Sequence, residues 1–514
     1  MRSEQYLLGL DAGLSVTKAA LFDASGREVL TVGRRSRLLS PQPGWAELDM
    51  LDMWESTVEA IRELLVLSQV DKTQISGVGL SGNMVGAWLI DKQGHPVRNA
   101  ILVCDNRTGP LVEQLIQEQP DILHQIYCSS GCVMEFGCTL PLIRWLDEHE
   151  ADSLRNAHTV LCSKDWICYQ FTGSRQLDYT EAAVLPGDNQ ARAYNESLFD
   201  LLGISRWRHL FPPVRASYQL VGRITSQAAE QSGLSVGTPV VAGAGDVPSS
   251  AIGAGAVMPG MACTVLGTTC HNSLVVSQAV FEPPDVGLLF VLPESFWLRT
   301  MVNLTGTPNL DWGIKQFCAW EREVNLSQQG IFETAQTLAQ QSPPGANGVI
   351  FHPYLHPVGV IAPFVEPHAK AQFFGITNST TRHDLLRAIY EGVALAIRDC
   401  YEAIGVPDEI RLVGGGTKSD FWCRVIADCT GSRIAIPDGN EFGAKGAALL
   451  AAVGLGWFED ISEASQKTST IRRRYAPNSD LKAVYDAAYA VYRQLRIDLR
   501  ASWRLDNTFA VDRG

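Results

Sequence analysis

The amino-acid sequence predicts an α/β protein made of two similar domains, and three observations carry that expectation. The chain has 514 residues, too many for one hydrophobic core, so more than one domain of ordinary size is expected. Apolar runs with strand character alternate with stretches of helical apolar spacing, as α/β domains require. Two apolar hairpins with small polar turns, one within residues 7–22 and one within 261–276, lie about 250 residues apart, as an internal repeat would place them.

The first hairpin runs from Tyr6 through Leu10 to Asp11, breaks at Gly13 and Ser15, and resumes from Val16 to Phe22. Its turn carries Asp11, Ser15 and Thr17, and backbone N–H groups of such a turn can meet a phosphate. Residues 45–67 have helical spacing through Leu51, Trp54, Val58, Ile61, Leu64 and Leu65, and lead into a short strand at 75–81. Further apolar runs follow at 87–90 and 100–103, separated by the turn Asp91-Lys-Gln-Gly94. The second pattern opens with a buried strand at 239–246 ending in Gly-Ala-Gly-Asp246, and its hairpin turn is Gly267-Thr-Thr269. The domain boundary falls near residue 253. Residues 481–499 form an amphipathic helix, with Leu481, Val484, Tyr485, Ala488, Val491, Tyr492 and Leu495 on the face that packs back onto a domain.

Composition narrows the function classes. With 46% hydrophobic and 19% charged residues the chain is globular, and 42 basic against 55 acidic side chains give a net charge of −13, which disfavours nucleic acid as a partner. Arg472-Arg473-Arg474 is expected to be a solvated loop. No apolar stretch near Met1 suits a signal peptide and no window is long and apolar enough to span a membrane, so the expected location is the cytoplasm, with no membrane partner. The 12 cysteines lack metal-type spacing and are expected to be reduced and mostly buried.

An ordered set of motifs resembles the FGGY family of carbohydrate kinases. These are Gly9-Leu-Asp-Ala-Gly-Leu-Ser-Val-Thr-Lys18, Gly79-Leu-Ser-Gly-Asn-Met84, Ala100-Ile-Leu-Val-Cys-Asp-Asn-Arg107, Gly243-Ala-Gly-Asp246, Gly267-Thr-Thr269, Leu412-Val-Gly-Gly-Gly-Thr-Lys-Ser419 and Asn440-Glu-Phe-Gly-Ala-Lys-Gly-Ala-Ala448. The resemblance implies two RNase H-like (actin-like ATPase) domains facing a central cleft. Residues 1–252 would carry most of the sugar pocket, and 253–514 the nucleotide site with the last helix packing back.

It further implies ATP-dependent phosphorylation of a hydroxyl of a small ketose, a pentulose such as xylulose, with ATP and Mg²⁺ as cofactors. Asp246 takes the place of the base that accepts the hydroxyl proton. Asn83, Met84 and Asp105, with Asp246, would bind the sugar, since a carboxylate can accept two hydroxyl hydrogen bonds. Arg107 reads equally as ligand or as ion-pair partner. Ser15, Thr17, Lys18, Gly267, Thr268, Thr269, Gly414, Gly415, Gly416 and Ser419 would hold the nucleotide, Asp11 the metal. The helix after the Gly-rich turn would support the nucleotide. Trp45, Asp49, Asn303, Asp311 and Trp312 are further cleft candidates, with core packing as the other reading for the tryptophans; His95, His352 and His383 receive no role. The resemblance leaves room for a homodimer.

The chain departs from better-known members at the sugar pocket. Val85 stands where D-xylulokinases carry His, Val247 where they carry Asn, and Met84-Val85 where glycerol kinases use Arg-Glu. The Asp246-Val247 pair is similar to the L-xylulose and erythritol kinase branch, which leaves erythritol or another small polyol as an alternative substrate. Bland readings stand beside these. The turn at Asp11 could be an ordinary polar hairpin, Asp246 could cap the helix that follows it, and the whole could be an actin-like ATPase or a non-catalytic sugar-binding regulator.

Overall fold

In a computed structural model, residues 5–318 and 328–505 are described. The chain forms two compact units, and neither is a consecutive half. The first comprises residues up to Pro259, Val275–Arg299 and Asp438–Thr470; the second comprises Gly260–Leu274, Thr300–Pro437 and the chain from Ile471 onward. A single cut at 252/253 therefore does not describe the packing, because the chain returns to the first unit near its end.

The sheet of the first unit has the strand order Leu220–Arg223, Pro239–Val241, Ile75–Gly82, Tyr6–Ala12, Val16–Asp23, Glu28–Arg35, with Ala244–Gly245 pairing the far end of Ile75–Gly82. The hairpin expected from the sequence is present, and its register sets Asp11 opposite Lys18 on one side and, through a parallel pairing, beside Ser81 on the other. The expected long strand ending at Asp246 is split at Gly243, whose φ of 79° makes a bend that only a residue without Cβ takes at low cost. The bend lets the Ala244–Gly245 strand continue alongside Ser81 and Gly82. Asp246 then opens the helix Asp246–Ala254. Asp49, a cleft candidate, caps the helix Met50–Ser68 by accepting from the Leu51 and Asp52 N–H groups.

What brings the chain back is the helix Phe442–Gly454. It lies on the Tyr6–Ala12 and Ile75–Gly82 strands and against the helix Asp246–Ala254. The approach is backbone to backbone: a Cβ on Gly9 would fall 2.0 Å from the Ala444 carbonyl oxygen, and one on Gly79 only 1.8 Å from that of Ala447. Small residues thus allow this helix a contact that no larger side chain fits.

The second unit repeats the pattern. Ala262–Leu266 and Cys270–Val276 form an antiparallel hairpin, and Glu409–Val413 lies parallel to the first of these strands. Arg433–Pro437 and Ile471–Tyr475 complete that side of the sheet. Arg472-Arg473-Arg474 lies in this last strand and is not a loop: Arg473 pairs with Asp420, and Arg474 approaches Glu409 at 3.5 Å. Charges of this kind suit a sheet edge, where they discourage further strand pairing.

The C-terminal helix spans Lys482–Asp498. Its buried face is carried by Tyr485, Tyr489 and Tyr492, whereas Val484 and Val491 are exposed. Tyrosine wins because its hydroxyl reaches polar groups that a valine would leave unpaired. Tyr485 donates to Glu391 and Tyr489 to Asp399, both at 2.9 Å, and Tyr492 meets Tyr354. Among the described residues no helix is long and apolar enough to cross a membrane.

The sheet–helix contact predicts a specific sensitivity. Gly79→Ala must push the Ala447 carbonyl away and should destabilise the protein by about 3 kcal/mol, seen as a lower Tm in scanning calorimetry. Gly109→Ala, where a Cβ meets nothing within 4 Å, should leave the Tm unchanged or slightly raised.

Candidate active site

The chemistry-bearing residues of the first unit gather at the carboxyl ends of parallel strands, where α/β sheets present their ligands. Asp11 ends its strand next to Ser81, whose hydroxyl donates to Asp11 Oδ1 at 3.1 Å. Asp246 follows the Ala244–Gly245 strand, and its Oδ1 accepts the Val247 N–H at 2.8 Å. The helix cap proper is Gly245. Lys18 donates to Glu441 Oε2 at 2.6 Å, and its charge also acts on Asp11.

Both aspartates bind protons more tightly than usual. Burial raises Asp11, with Lys18 and Ser81 opposing the shift and Glu441 adding to it. Burial also raises Asp246, and the negative charge of Asp11 reinforces the effect, carrying it to about 7. A carboxylate with a pKa near neutrality can take a proton from an alcohol without being too weak a base to hold it.

Asn83, Met84 and Val85 form the neighbouring turn. Asn83 Nδ2 donates to the Ala12 carbonyl at 2.8 Å, and its buried Oδ1 has no partner among the described residues. Met84 packs on Gly245, where a Cβ would lie 2.3 Å from its sulfur. Val85 has a φ of 57°, a left-handed conformation costing a β-branched residue on the order of 1–3 kcal/mol. Its N–H is held by Glu181 Oε2 at 2.9 Å.

Asp105 is 1% exposed and both its oxygens are engaged. Oδ1 accepts from the Arg107 backbone and Nε, and Oδ2 from Ala46 and Arg107 Nη2. Arg107 also reaches Glu47 at 2.8 Å and stacks 3.9 Å over the ring of Trp45, so it is an ion-pair partner. Its Nη1 is buried without a partner among the described residues.

Of the nucleotide candidates on the first hairpin, Ser15 is exposed at the turn, while Thr17 is fully buried in its strand. In the second unit, the Gly267–Thr269 turn closes the hairpin with Gly267 N–H donating to the Thr269 carbonyl. Gly306 and Thr307 N–H groups donate to the carbonyls of Thr268 and Gly267. The Gly414–Gly416 turn leaves the adjacent parallel strand and packs on Leu266: a Cβ on Gly414 would sit 2.6 Å from the Leu266 oxygen, whereas Gly415 faces open space. The Gly267–Thr269 hairpin and the Gly-rich turn are therefore neighbours. Ser419 caps the helix Asp420–Thr430 and donates to Gln336 at 2.7 Å. Trp312 packs with Phe351 and Phe373 in the core, and Asn303 bonds Asn272.

Sequence reading placed Ser81, Glu441 and Gly443 in its motifs without giving them a role, and passed over the buried cluster of Lys164, Asp165, Asp178 and Glu181. The one local signal was the charged pair Lys164-Asp165 inside an apolar run. Cys162, Asp165 and Glu181 lie close enough together to suggest a metal site. However, the Lys164 ammonium, 2.7 Å from Asp165, already supplies the positive charge there.

Hairpin, parallel strand and paired glycine-rich turns on two α/β units define an RNase H-like phosphotransferase. Comparison with known proteins places it within that class. The N-terminal domain model of the FGGY family of carbohydrate kinases matches residues 6–253 and the C-terminal domain model residues 262–455, so the chain belongs to that family. It is 32% identical over 96% of its length to a probable L-xylulose kinase of Pasteurella multocida, covering 99% of that protein. It is likewise 32% identical to an L-xylulose/3-keto-L-gulonate kinase of Escherichia coli, covering 96% of each chain. A xylulose kinase structure from Rhodospirillum rubrum superposes with a TM-score of 0.86 at 26% identity, over 97% of this chain and 100% of that one. The protein is a carbohydrate kinase, and ATP is the donor its family membership implies.

The electrostatics predict a pH signature. A raised pKa means that stability is lost as pH climbs from the unfolded value near 3.8 to about 7. Asp246→Asn removes that loss, so in metal-free buffer its Tm should exceed the wild-type value at pH 8 and converge with it near pH 4.

Proposed function

We propose that the enzyme transfers the γ-phosphoryl group of ATP to a hydroxyl of a small ketose, a pentulose such as xylulose, with Asp246 as the base. The observation that carries the reading is Asp246 itself, set at the end of a sheet strand beside Asp11 with a pKa raised to about 7. The acceptor hydroxyl gives its proton to Asp246 as its oxygen forms the new bond to phosphorus. The bond from phosphorus to the ADP oxygen breaks in the same displacement. Asn83, Met84 and Asp105 serve the sugar, Asp105 by holding Arg107 and Trp45 in place. The hydroxyl and remaining N–H donors of the Gly267–Thr269 turn serve the phosphates and the Gly414–Gly416 turn the adenosine, with Ser15, Thr17, Lys18 and Ser419 as supporting residues. The relatives named for L-xylulose support the pentulose. A Brucella abortus relative named erythritol kinase, 28% identical over 519 residues, favours a small polyol as the second reading.

Asp11 suits a Mg²⁺ ion. Ser81 occupies its Oδ1, and the absence of a side chain at Gly443, where a Cβ would come within 2.7 Å of Oδ2, keeps that oxygen accessible. Mg²⁺ bound there would neutralise charge on the phosphates. The need for ATP sets the reading in the cytoplasm.

Asp246→Asn keeps the side-chain volume but cannot accept the proton; sugar-dependent ADP formation should fall by about 10²- to 10⁴-fold with ATP affinity retained. Near-normal turnover would remove the base. Asp11→Ala should raise the Mg²⁺ concentration needed for half-maximal rate, and an unchanged requirement would remove the metal role. A coupled ADP assay across pentuloses, tetritols, pentitols and glycerol should give the highest kcat/KM with a pentulose; a higher value with erythritol would select the polyol reading.

A further inference from the structure

We infer that the buried Lys164–Asp178–Thr180 chain is a positioning device for phosphoryl transfer, fixing the backbone from which Asp246 projects. The inference rests on the reading of Asp246 as the base. Lys164, Asp165, Asp178, Thr180 and Glu181 are all fully buried. Lys164 Nζ lies 2.7 Å from Asp165 Oδ1 and 2.8 Å from Asp178 Oδ1. Asp178 also accepts from the Ser217 hydroxyl at 2.7 Å and from the Thr180 N–H at 3.0 Å.

The orientation of the Thr180 hydroxyl follows from these contacts. Its oxygen is 2.9 and 3.0 Å from the two Asp178 oxygens. A carboxylate only accepts, so the hydroxyl must donate its single proton there. Its lone pairs are then turned to the Gly245 N–H, which donates to it at 2.8 Å. Gly245 is the residue immediately before Asp246, at the junction of strand and helix. The ammonium thus fixes the carboxylate, the carboxylate fixes the hydroxyl, and the hydroxyl fixes the peptide that aims the base.

The adjacent residue of the same short helix, Tyr179–Val184, supplies a second arm. Glu181 holds the Val85 N–H at 2.9 Å, and Met84 beside it packs on Gly245. Base and pocket turn are therefore tied to one buried cluster. Burial of charge is costly even when paired, and an apolar core of the same volume is often at least as stable. Direction is what the ionic chain supplies and an apolar core cannot, and displacements of about 1 Å can cost on the order of 100-fold in rate.

The test is a double-mutant cycle in the full-length enzyme, read as kcat and sugar KM. Thr180→Val keeps shape but removes donor and acceptor together. It should lower kcat by about ten- to a hundredfold with sugar KM changed less than about threefold, and Thr180→Ser should restore the rate. In an Asp246→Asn background, Thr180→Val should leave the residual rate unchanged, because the group it positions no longer acts as base. If Thr180→Val does not fold, Thr180→Cys replaces it, a weak hydrogen-bonding group of similar size for which the same losses are expected. Unchanged kcat in the folded variant, a rise in KM alone, or equal losses in both backgrounds would overturn the inference. Full turnover by Asp246→Asn alone would instead overturn the base assignment on which it rests, so the two failures are distinguishable.

Discussion

The contact on which the first unit depends is that between the helix Phe442–Gly454 and the two central strands beneath it. Carbonyls of Ala444 and Ala447 sit where the side chains of Gly9 and Gly79 would otherwise be. That distance brings the start of the helix to Asp11, with Gly443 against its carboxylate and Glu441 against Lys18. On its other face Gly446 meets the Ser249 carbonyl and Phe442 meets Gly253, so the helix that begins at Asp246 is seated by the same element. One run of small residues late in the sequence therefore fixes the surroundings of two carboxylates that arise early and midway.

Charge in the interior is distributed on a second principle. Burial alone would lower the pKa of Lys164, but Asp165 and Asp178 more than reverse that tendency and raise it well above the ordinary value. Asp165, raised to about 7, and Glu181, raised well above the ordinary range, are pushed up first by burial, and each keeps one oxygen without a partner among the described residues. Three carboxyls around one ammonium need not all ionise. Protonation of the least favoured one is a smaller cost than an uncompensated buried charge. Asp178, which meets four donors and the ammonium, is the member linked through Thr180 to Gly245.

Much of the fold was legible because its signals are local. Alternating apolar runs, polar turns and a Gly-rich bend before Asp246 mark the hairpins and the strand–helix junction without reference to the rest of the chain. What could not be read depends on partners far apart in sequence. Nothing near Lys18 announces Glu441, and nothing near Arg107, whose ion-pair reading the sequence left open, shows that Glu47 and Trp45 close around it. The arginine triplet reads as a loop because three like charges discourage a core, yet an edge strand with carboxylates beside it accepts them. The last helix showed its period and, in Tyr485 and Tyr492, part of its buried face, but not that Val484 and Val491 stay exposed, since hydropathy ranks valine above tyrosine and does not see the buried carboxylates that the phenols reach. Of the candidate site, Asp11, Asp246 and the glycine turns were visible as residues; their register, their shared electrostatics and the cluster beneath them were not.

Under the proposed reading the electrostatics of the site also explain why a cation is needed and a second lysine would serve less well. Asp11 raises the proton affinity of Asp246, and the ammonium of Lys18 is paired with Glu441. The phosphates of ATP add further negative charge to the same place, so their approach requires compensation. A fixed ammonium beside Asp246 would supply it, but an opposite charge within about 4–6 Å lowers a carboxyl pKa by 1–3 units and would weaken the base. A divalent ion held at Asp11 by oxygen ligands would be compensation that travels with the phosphates and would leave Asp246 without a permanent positive neighbour. Under that reading, basicity at Asp246 and cation dependence at Asp11 follow from one arrangement, a pair of carboxylates at the ends of two strands that flank Ile75–Gly82.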